Sequence, residues 1–430
     1  TFYFFSLNLL YERLVEYLTT RIILNRHMKV NLDRTHVRNF LTLRYNPLQN
    51  TTKSLANTKT FSTVNSDPDG KLLEKLLLES VNKLTKNKKD VFTVSLSSGI
   101  DSSLCLALLR KQHPDQKIVS ICGIFDKTLD ESKKAKEIAR KFNSDFKILR
   151  IPSLYTHMPE LISMTKKPRW NTYTHLVAKE AKKYGTLLVT GDGADELFAG
   201  YTFRYKKFLQ LLKPHDTWLS KTKKYLECHN RDWVPNQKAV FDKSLKFNWK
   251  TIYSYFRPYF QNKMHPLNQV LLADYNGKLT YDFIPTSNHI LKYYRISGGP
   301  IFLDKKIISF AMGLPLDQKY NILQNKGKLL LRKISKRYNV KHIDEKKGFS
   351  PDLFTDWKKT GKSICESYIM KSDSRIYEKR IINPNWVVTA FKKIELDKDI
   401  RYLTKLVSVL GLEIWLRVFI TKELNANKKL

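Results

Sequence analysis

The sequence predicts an α/β protein: a doubly wound parallel sheet, followed by a mostly helical C-terminal region. Two observations carry this. Between residues 91 and 192 short apolar runs alternate with amphipathic stretches, the pattern of strands joined by crossover helices. After about residue 200 the alternation stops, and long helical and aromatic stretches follow without an internal repeat of fixed period.

The elements follow in order. Residues 44–70, RYNPLQNTTKSLANTKTFSTVNSDPDG, are polar and aperiodic and read as a linker. KLLEKLLLESVNKL (71–84) spaces its leucines as a helix. VFTVSL (91–96) is a buried strand, SSLCLALLRKQH (102–113) a helix and KIVSICGIF (117–125) the next strand. DESKKAKEIARKF (130–142) is an amphipathic helix with Asp130 and Glu131 in its first turn. FKILRI (146–151), THLVAKEAKKYG (174–185) and TLLVTGD (186–192) complete the series as strand, helix and strand. Ligands of such a sheet belong at the carboxyl ends of its strands. The division expected is an N-terminal extension and linker over 1–70, an α/β domain over 71–365 and a helical region over 366–430.

Residues 1–24, TFYFFSLNLLYERLVEYLTTRIIL, are interrupted by Glu12, Arg13 and Glu16 and lack a basic leader. They predict neither a spanning helix nor a signal peptide. Met28 opens MKVNLDRTHVRNFL, so residues 1–27 read as an upstream extension or an amphipathic first helix. The four cysteines, Cys105, Cys122, Cys228 and Cys365, form no CxxC pair and no metal-ligand spacing. Cys105 and Cys122 lie in apolar runs and are expected to be buried thiols, and a reducing cytoplasmic location is expected. With 77 Lys and Arg against 40 Asp and Glu, the net charge is +37. Such an excess attracts anions, but the lysines are scattered rather than gathered in aromatic-interleaved tracts. Weak, salt-sensitive nucleic-acid binding is expected, and an anionic substrate such as ATP gains from the field.

SLSSGIDSSL (95–104) joins the first strand to its helix. Small residues let backbone approach an anion, and N–H groups at a helix start favour phosphate. Gly99 is expected to use its freedom at positive φ. Ser97, Ser102 and Ser103 add hydroxyls. Asp101 suits a phosphate site through a divalent cation, with Mg²⁺ the natural match. No lysine follows the glycine, so this is not the common GxxxxGK[ST] loop.

The stretch resembles the SGGxDS loop of the ATP pyrophosphatase (PP-loop) superfamily, with Ser98 in place of a glycine. LLVTGDGADELFAGY (187–201) closely resembles the SGDGGDELFGGY-type segment of asparagine synthetases and their β-lactam synthetase relatives. GPIFLDKKIISFAMGLPLDQKYN (299–321), GKLLLRKI and EKKGFSPDLF (345–354) are similar to later segments of the same family, and the likeness covers about residues 70–365. It implies an adenine nucleotide alpha hydrolase-like fold that cuts ATP between the α- and β-phosphates. By position it implies that the backbones of Leu96, Cys122, Thr190 and Gly191 meet adenosine. Ser97, Ser98, Gly99, Asp101, Ser102 and Ser103 would hold the phosphates, and Asp101 and Asp195 would ligate Mg²⁺. Asp192 takes the place of the acid beside the acyl-adenylate, and Lys346 that of the lysine that stabilises departing pyrophosphate.

Some positions depart from the family pattern. Only about ninety residues precede the loop, and none of them is a cysteine, so no glutamine amidotransferase domain is expected. Ammonia, a separate glutaminase or a substrate amine would then supply nitrogen. Acidic residues usual before the helix leading to the GDG strand are replaced in SMTKKPRWNTYTH, and a usual arginine is Gly299; both weaken the expectation of aspartate itself. The function expected is amide formation through an acyl-adenylate, with release of AMP and pyrophosphate. The alternative is an RNA-modifying PP-loop enzyme of the tRNA lysidine synthetase or thiolase type, against which stand the GDGADELFAGY segment and the lack of paired cysteines.

Overall fold

The computed structural model describes residues 32–49, 56–61, 65–125, 131–170, 173–340, 342 and 352–430. The expectations for residues 1–27, Asp130 and Lys346 therefore lie outside the described residues.

Helix α1 (Arg34–Leu43) starts at Asp33, whose carboxylate accepts from the N–H groups of Thr35 and His36. Helix α2 (Lys71–Thr85) buries Leu73, Leu77 and Val81, four apart on one stripe. Then come β1 (Phe92–Ser95), α3 (Ile100–Gln112), β2 (Ile118–Phe125), α4 (Ser132–Lys141) and β3 (Asp145–Ile151). A short helix absent from the sequence reading, α5 (Met158–Thr165), precedes α6 (Thr174–Ala181) and β4 (Leu187–Thr190). Beyond β4 lie α7 (Ala194–Leu197), α8 (Thr202–Leu211) and α9 (Pro266–Asp274). A π-helical stretch, Tyr275–Phe283, breaks at Gly277 and runs into α10 (Ile284–Tyr293).

A fifth strand, β5 (Ser297–Pro300), then returns to the sheet. It lies within the region read as mostly helical, and the sequence reading did not single it out. All pairings within this five-stranded sheet are parallel, and its order is β3-β2-β1-β4-β5. β5 is held close because Gly298 and Gly299 sit at φ +104° and +123°. A Cβ on Gly298 would overlap Leu188 O of β4. The remaining helices used below are α11 (Lys305–Gly313), α12 (Leu329–Arg337), α13 (Pro384–Glu395) and α14 (Ile400–Phe419).

Two large cores result. One joins the sheet to α2, α3, α11 and α12 through residues such as Leu77, Val94, Leu106, Ile307 and Leu331. The other fills the helical region, where α14 is buried on nearly every face and packs against α5 and α13. No helix among the described residues is long and apolar enough to cross a membrane.

The sheet order reverses between β1 and β4. The β1–β2 pairing ends at Ser95↔Ile121, while β2 continues to Phe125 alongside β3. The loops after β1 and β4 therefore flank the switch point, the place where an open α/β sheet receives ligands.

Candidate active site

Ser97–Gly99 turn the chain from β1 into α3. Gly99 is the N-cap at φ −75°, ψ 156°, which corrects the expected positive φ. Glycine is instead favoured by space, since a Cβ there would come within 3.3 Å of Ser97 Oγ. The loop ties itself with hydroxyls. Ser97 N–H donates to Ser102 Oγ at 3.0 Å, and Gly99 N–H to Ser97 Oγ at 3.2 Å. Ser103 Oγ, buried, donates to Gly99 O at 2.8 Å, so this hydroxyl is turned into its own helix. Ser98 donates to Glu131 Oε2 through Oγ at 2.7 Å and N–H at 3.3 Å. The serine that replaces the family's glycine thus holds a carboxylate against the loop.

The second loop approaches the first through Gly191. A Cβ at that residue would stand 3.0 Å from Asp101 Cβ and 3.1 Å from Ser102 N. The short approach brings the GDG turn onto the start of α3. Thr190 Oγ1 donates to Asp192 Oδ2 at 2.9 Å, and Asp192 is exposed at the turn. Leu96 and Cys122 each follow the last paired residues, Ser95 and Ile121, and both are buried. Cys122 is within β2 rather than at its end, but beyond Ile121 the β1-facing edge of β2 has no strand partner among the described residues. The predicted nucleotide-facing residues are therefore assembled around one switch point.

The two predicted metal acids meet as well, and a residue that sequence reasoning missed joins them. Lys328 Nζ lies 2.5 Å from Asp101 Oδ2 and 2.6 Å from Asp195 Oδ1. Its side chain is 6% exposed. Burial alone would lower the ammonium's pKa, but the charges of Asp101 and Asp195 outweigh it and raise it. Lys328 caps α12 in the left-handed region at φ 57°, fixed by its N–H to Phe198 O at 2.8 Å. Gly200 makes room for the cluster, because a Cβ there would overlap Asp195 Oδ1 and Lys328 Cε. The one available signal was the lysine after glycine in GKLLLRKI; nothing local couples it to residue 101.

Asp101 Oδ1 is buried and accepts no hydrogen bond. A buried carboxylate oxygen that accepts no hydrogen bond, beside a second carboxylate and the serine-rich loop, fits Mg²⁺, which binds through one or two carboxylates plus substrate phosphates. Behind Asp195, Glu196 is buried and accepts from Tyr201 OH at 2.7 Å. Burial, then the Asp195 charge, pushes its carboxyl up. Arg204 stacks 3.6 Å over the Tyr201 ring and pairs with Asp274 at 3.4 Å, so the acid loop is braced by α8 and α9.

The basic segment before α6 is used internally. Lys167 Nζ donates to Tyr281 O at 2.9 Å, and Arg169 pairs with buried Asp282. Burial pushes the Lys167 ammonium down to about 7 and the Arg169 guanidinium to about 9. Trp170 Nε1 donates to Ser408 Oγ of α14 at 2.9 Å. These residues lock the π-helical stretch and α14 together.

The family model described as asparagine synthase matches residues 72–417. Glutamine-hydrolyzing asparagine synthetase 1 of Bacillus subtilis (strain 168) is 25% identical over 289 residues, 59% of this chain and 44% of that protein. A putative glutamine-hydrolyzing asparagine synthetase of Mycobacterium bovis (strain ATCC BAA-935 / AF2122/97) is 26% identical over 167 residues, 36% of this chain and 24% of its own. The chain thus spans less than half the length of these curated relatives. Among solved structures, the NH3-dependent NAD synthetase of Campylobacter jejuni is 16% identical, with 46% of this chain and 100% of that one covered at a TM-score of 0.23.

Proposed function

Because the chain belongs to the asparagine synthase family, with 72–417 matched by its model, we propose that it is an ATP-dependent ligase that forms an amide through an acyl-adenylate. The observation that carries this is the meeting of the serine-rich loop and the Asp101–Asp195 pair across Gly191 at the sheet's switch point. A substrate carboxylate oxygen attacks the α-phosphorus, and the bond from that phosphorus to the bridging oxygen breaks, releasing pyrophosphate. Ammonia then attacks the acyl carbon, AMP leaves with the bonding pair, and the nitrogen loses a proton. N–H groups in the first turn of α3 and the hydroxyls of Ser97 and Ser102 would orient the phosphates. Asp101 and Asp195 would hold Mg²⁺, which supplies charge neutralisation to the phosphates. Exposed Asp192, steadied by Thr190, stands beside the adenylate. Lys346 is assigned to the departing pyrophosphate by its position in the KKGF segment alone.

The substrate is a small carboxylate, aspartate or a relative. Sulfur transfer to RNA is not favoured: Cys105 and Cys365 are buried, and burial pushes both thiols well up. The test is pyrophosphate release with ATP and Mg²⁺ across aspartate, other amino acids and ammonium. AMP and pyrophosphate are expected; ADP and orthophosphate would overturn the assignment.

A further inference from the structure

The acid pair assigned to the metal already has a cation built against it. Lys328 Nζ reaches both carboxylates, at 2.5 and 2.6 Å, from a backbone pinned to Phe198 O and through a passage kept open by Gly200. We propose that Lys328 is the resident counter-cation of Asp101 and Asp195, and that a divalent metal and the lysine ammonium compete for the same carboxylate oxygens. The inference rests on the reading of this site as a metal–nucleotide site.

The physical grounds are charge and space. Mg²⁺ needs its oxygens at about 2.0–2.1 Å in near-octahedral array, and an ammonium at hydrogen-bond distance from both acids stands where that ion must approach. Two like charges at contact repel strongly in a partly desolvated site. Lysine is suited to such an exchange because it is a point charge on a flexible four-carbon stem. Arginine is not, since its planar fork would grip the two carboxylates. Metal alone gives the displaced ammonium no counter-charge, whereas a metal–nucleotide complex brings phosphate oxygens that do. Metal entry is therefore conditional on nucleotide, and Lys328 is a positioning residue that keeps the two acids together beforehand.

The experiment measures Mn²⁺ binding by loss of the free-ion EPR signal, with and without the non-cleavable α,β-methylene analogue of ATP. Wild type, Lys328→Met and Lys328→Arg are compared, with melting temperatures taken in chelator and in Mg²⁺. Wild type should bind Mn²⁺ alone weakly and with the analogue tightly. Lys328→Met should bind Mn²⁺ alone about ten- to a thousandfold more tightly, the range set by removing one like charge at contact. It should also melt lower in chelator and recover with Mg²⁺. Lys328→Arg keeps the charge and should remain folded, though lower-melting than wild type, and bind the Mn²⁺–analogue complex more weakly, which keeps the test decisive if Lys328→Met does not fold. Competition is overturned if Lys328→Met binds Mn²⁺ alone no better than wild type, or if Lys328→Arg binds the complex as wild type does. Failure of every form, wild type included, to bind the Mn²⁺–analogue complex would instead overturn the proposed function.

Discussion

Replacing Gly200 with alanine tests whether the acid–lysine cluster is as tightly seated as its geometry indicates. The added Cβ would overlap Asp195 Oδ1 and Lys328 Cε and stand 2.8 Å from Asp195 Cγ. Carbon–carbon contacts settle at about 3.5–4.0 Å, so the carboxylate has to retreat by about 1 Å. The backbone cannot share that movement easily, because Gly200 N–H donates to Asp195 O and Lys328 N–H to Phe198 O, both at 2.8 Å. Overpacking of this kind costs about 1–3 kcal/mol of stability. A 1 Å displacement of the carboxylate proposed to hold the metal should cost about 10²-fold in turnover. Pyrophosphate release and thermal unfolding, measured on the same preparation, should show a large loss of rate with a small loss of stability. Unchanged turnover together with an unchanged melting temperature would refute the reasoning, since the cluster would then have slack that the geometry denies.

Lys346→Ala should abolish most pyrophosphate release, by about 10²–10³ for loss of a preorganised charge contact, with nucleotide binding and stability kept. Lys347→Ala should be mild, and equal behaviour of the two would remove the loop from the chemistry. Alkaline stability gives a further check. Burial, then the charge of Arg44, pushes the Lys405 ammonium down to about 7, and burial pushes Lys319 to about 7 as well. The unfolded chain therefore binds more protons than the folded one above pH 7, so stability should rise from pH 7 to 9. Urea melts of wild type and Lys405→Met across that range should show a shallower rise in the variant; parallel slopes would sink the assignment.

The first four strands were legible because β1, β2 and β4 are short apolar runs buried by helices, a pattern that side chains alone write. β5 was not. Its sequence is SGGP, with no side-chain alternation, and its strand geometry is imposed by β4 on two glycines at positive φ. In the site, the loops were readable because each is continuous in sequence. Lys328 was not, since it lies 227 residues from Asp101 and one basic residue in a lysine-rich chain looks like any other. Glu131 read as a first-turn acid, yet its carboxylate reaches back to Ser98. The KKPRW segment read as an altered pocket, whereas Lys167 and Arg169 are buried against Tyr281 and Asp282. Composition reports charge but not the partner that neutralises it.

Helix α14 carries a consequence for biosynthesis. Lys405 donates to the carbonyls of Leu41 and Asp232, Trp415 Nε1 to Lys166 O, and Glu413 accepts from the N–H groups of Arg375 and Ile376. A helix made 364 residues after α1 therefore closes the core that α1 begins. Strands β1 to β4 can pair as soon as residue 190 has emerged, but the apolar faces of α1 and α5 wait for residues 400–419. At about 5–20 residues per second that interval lasts about 10–40 s, far longer than local collapse. The nascent protein thus holds a formed nucleotide sheet beside an open hydrophobic cleft, and its yield in the cell depends on what shields that cleft until α14 arrives.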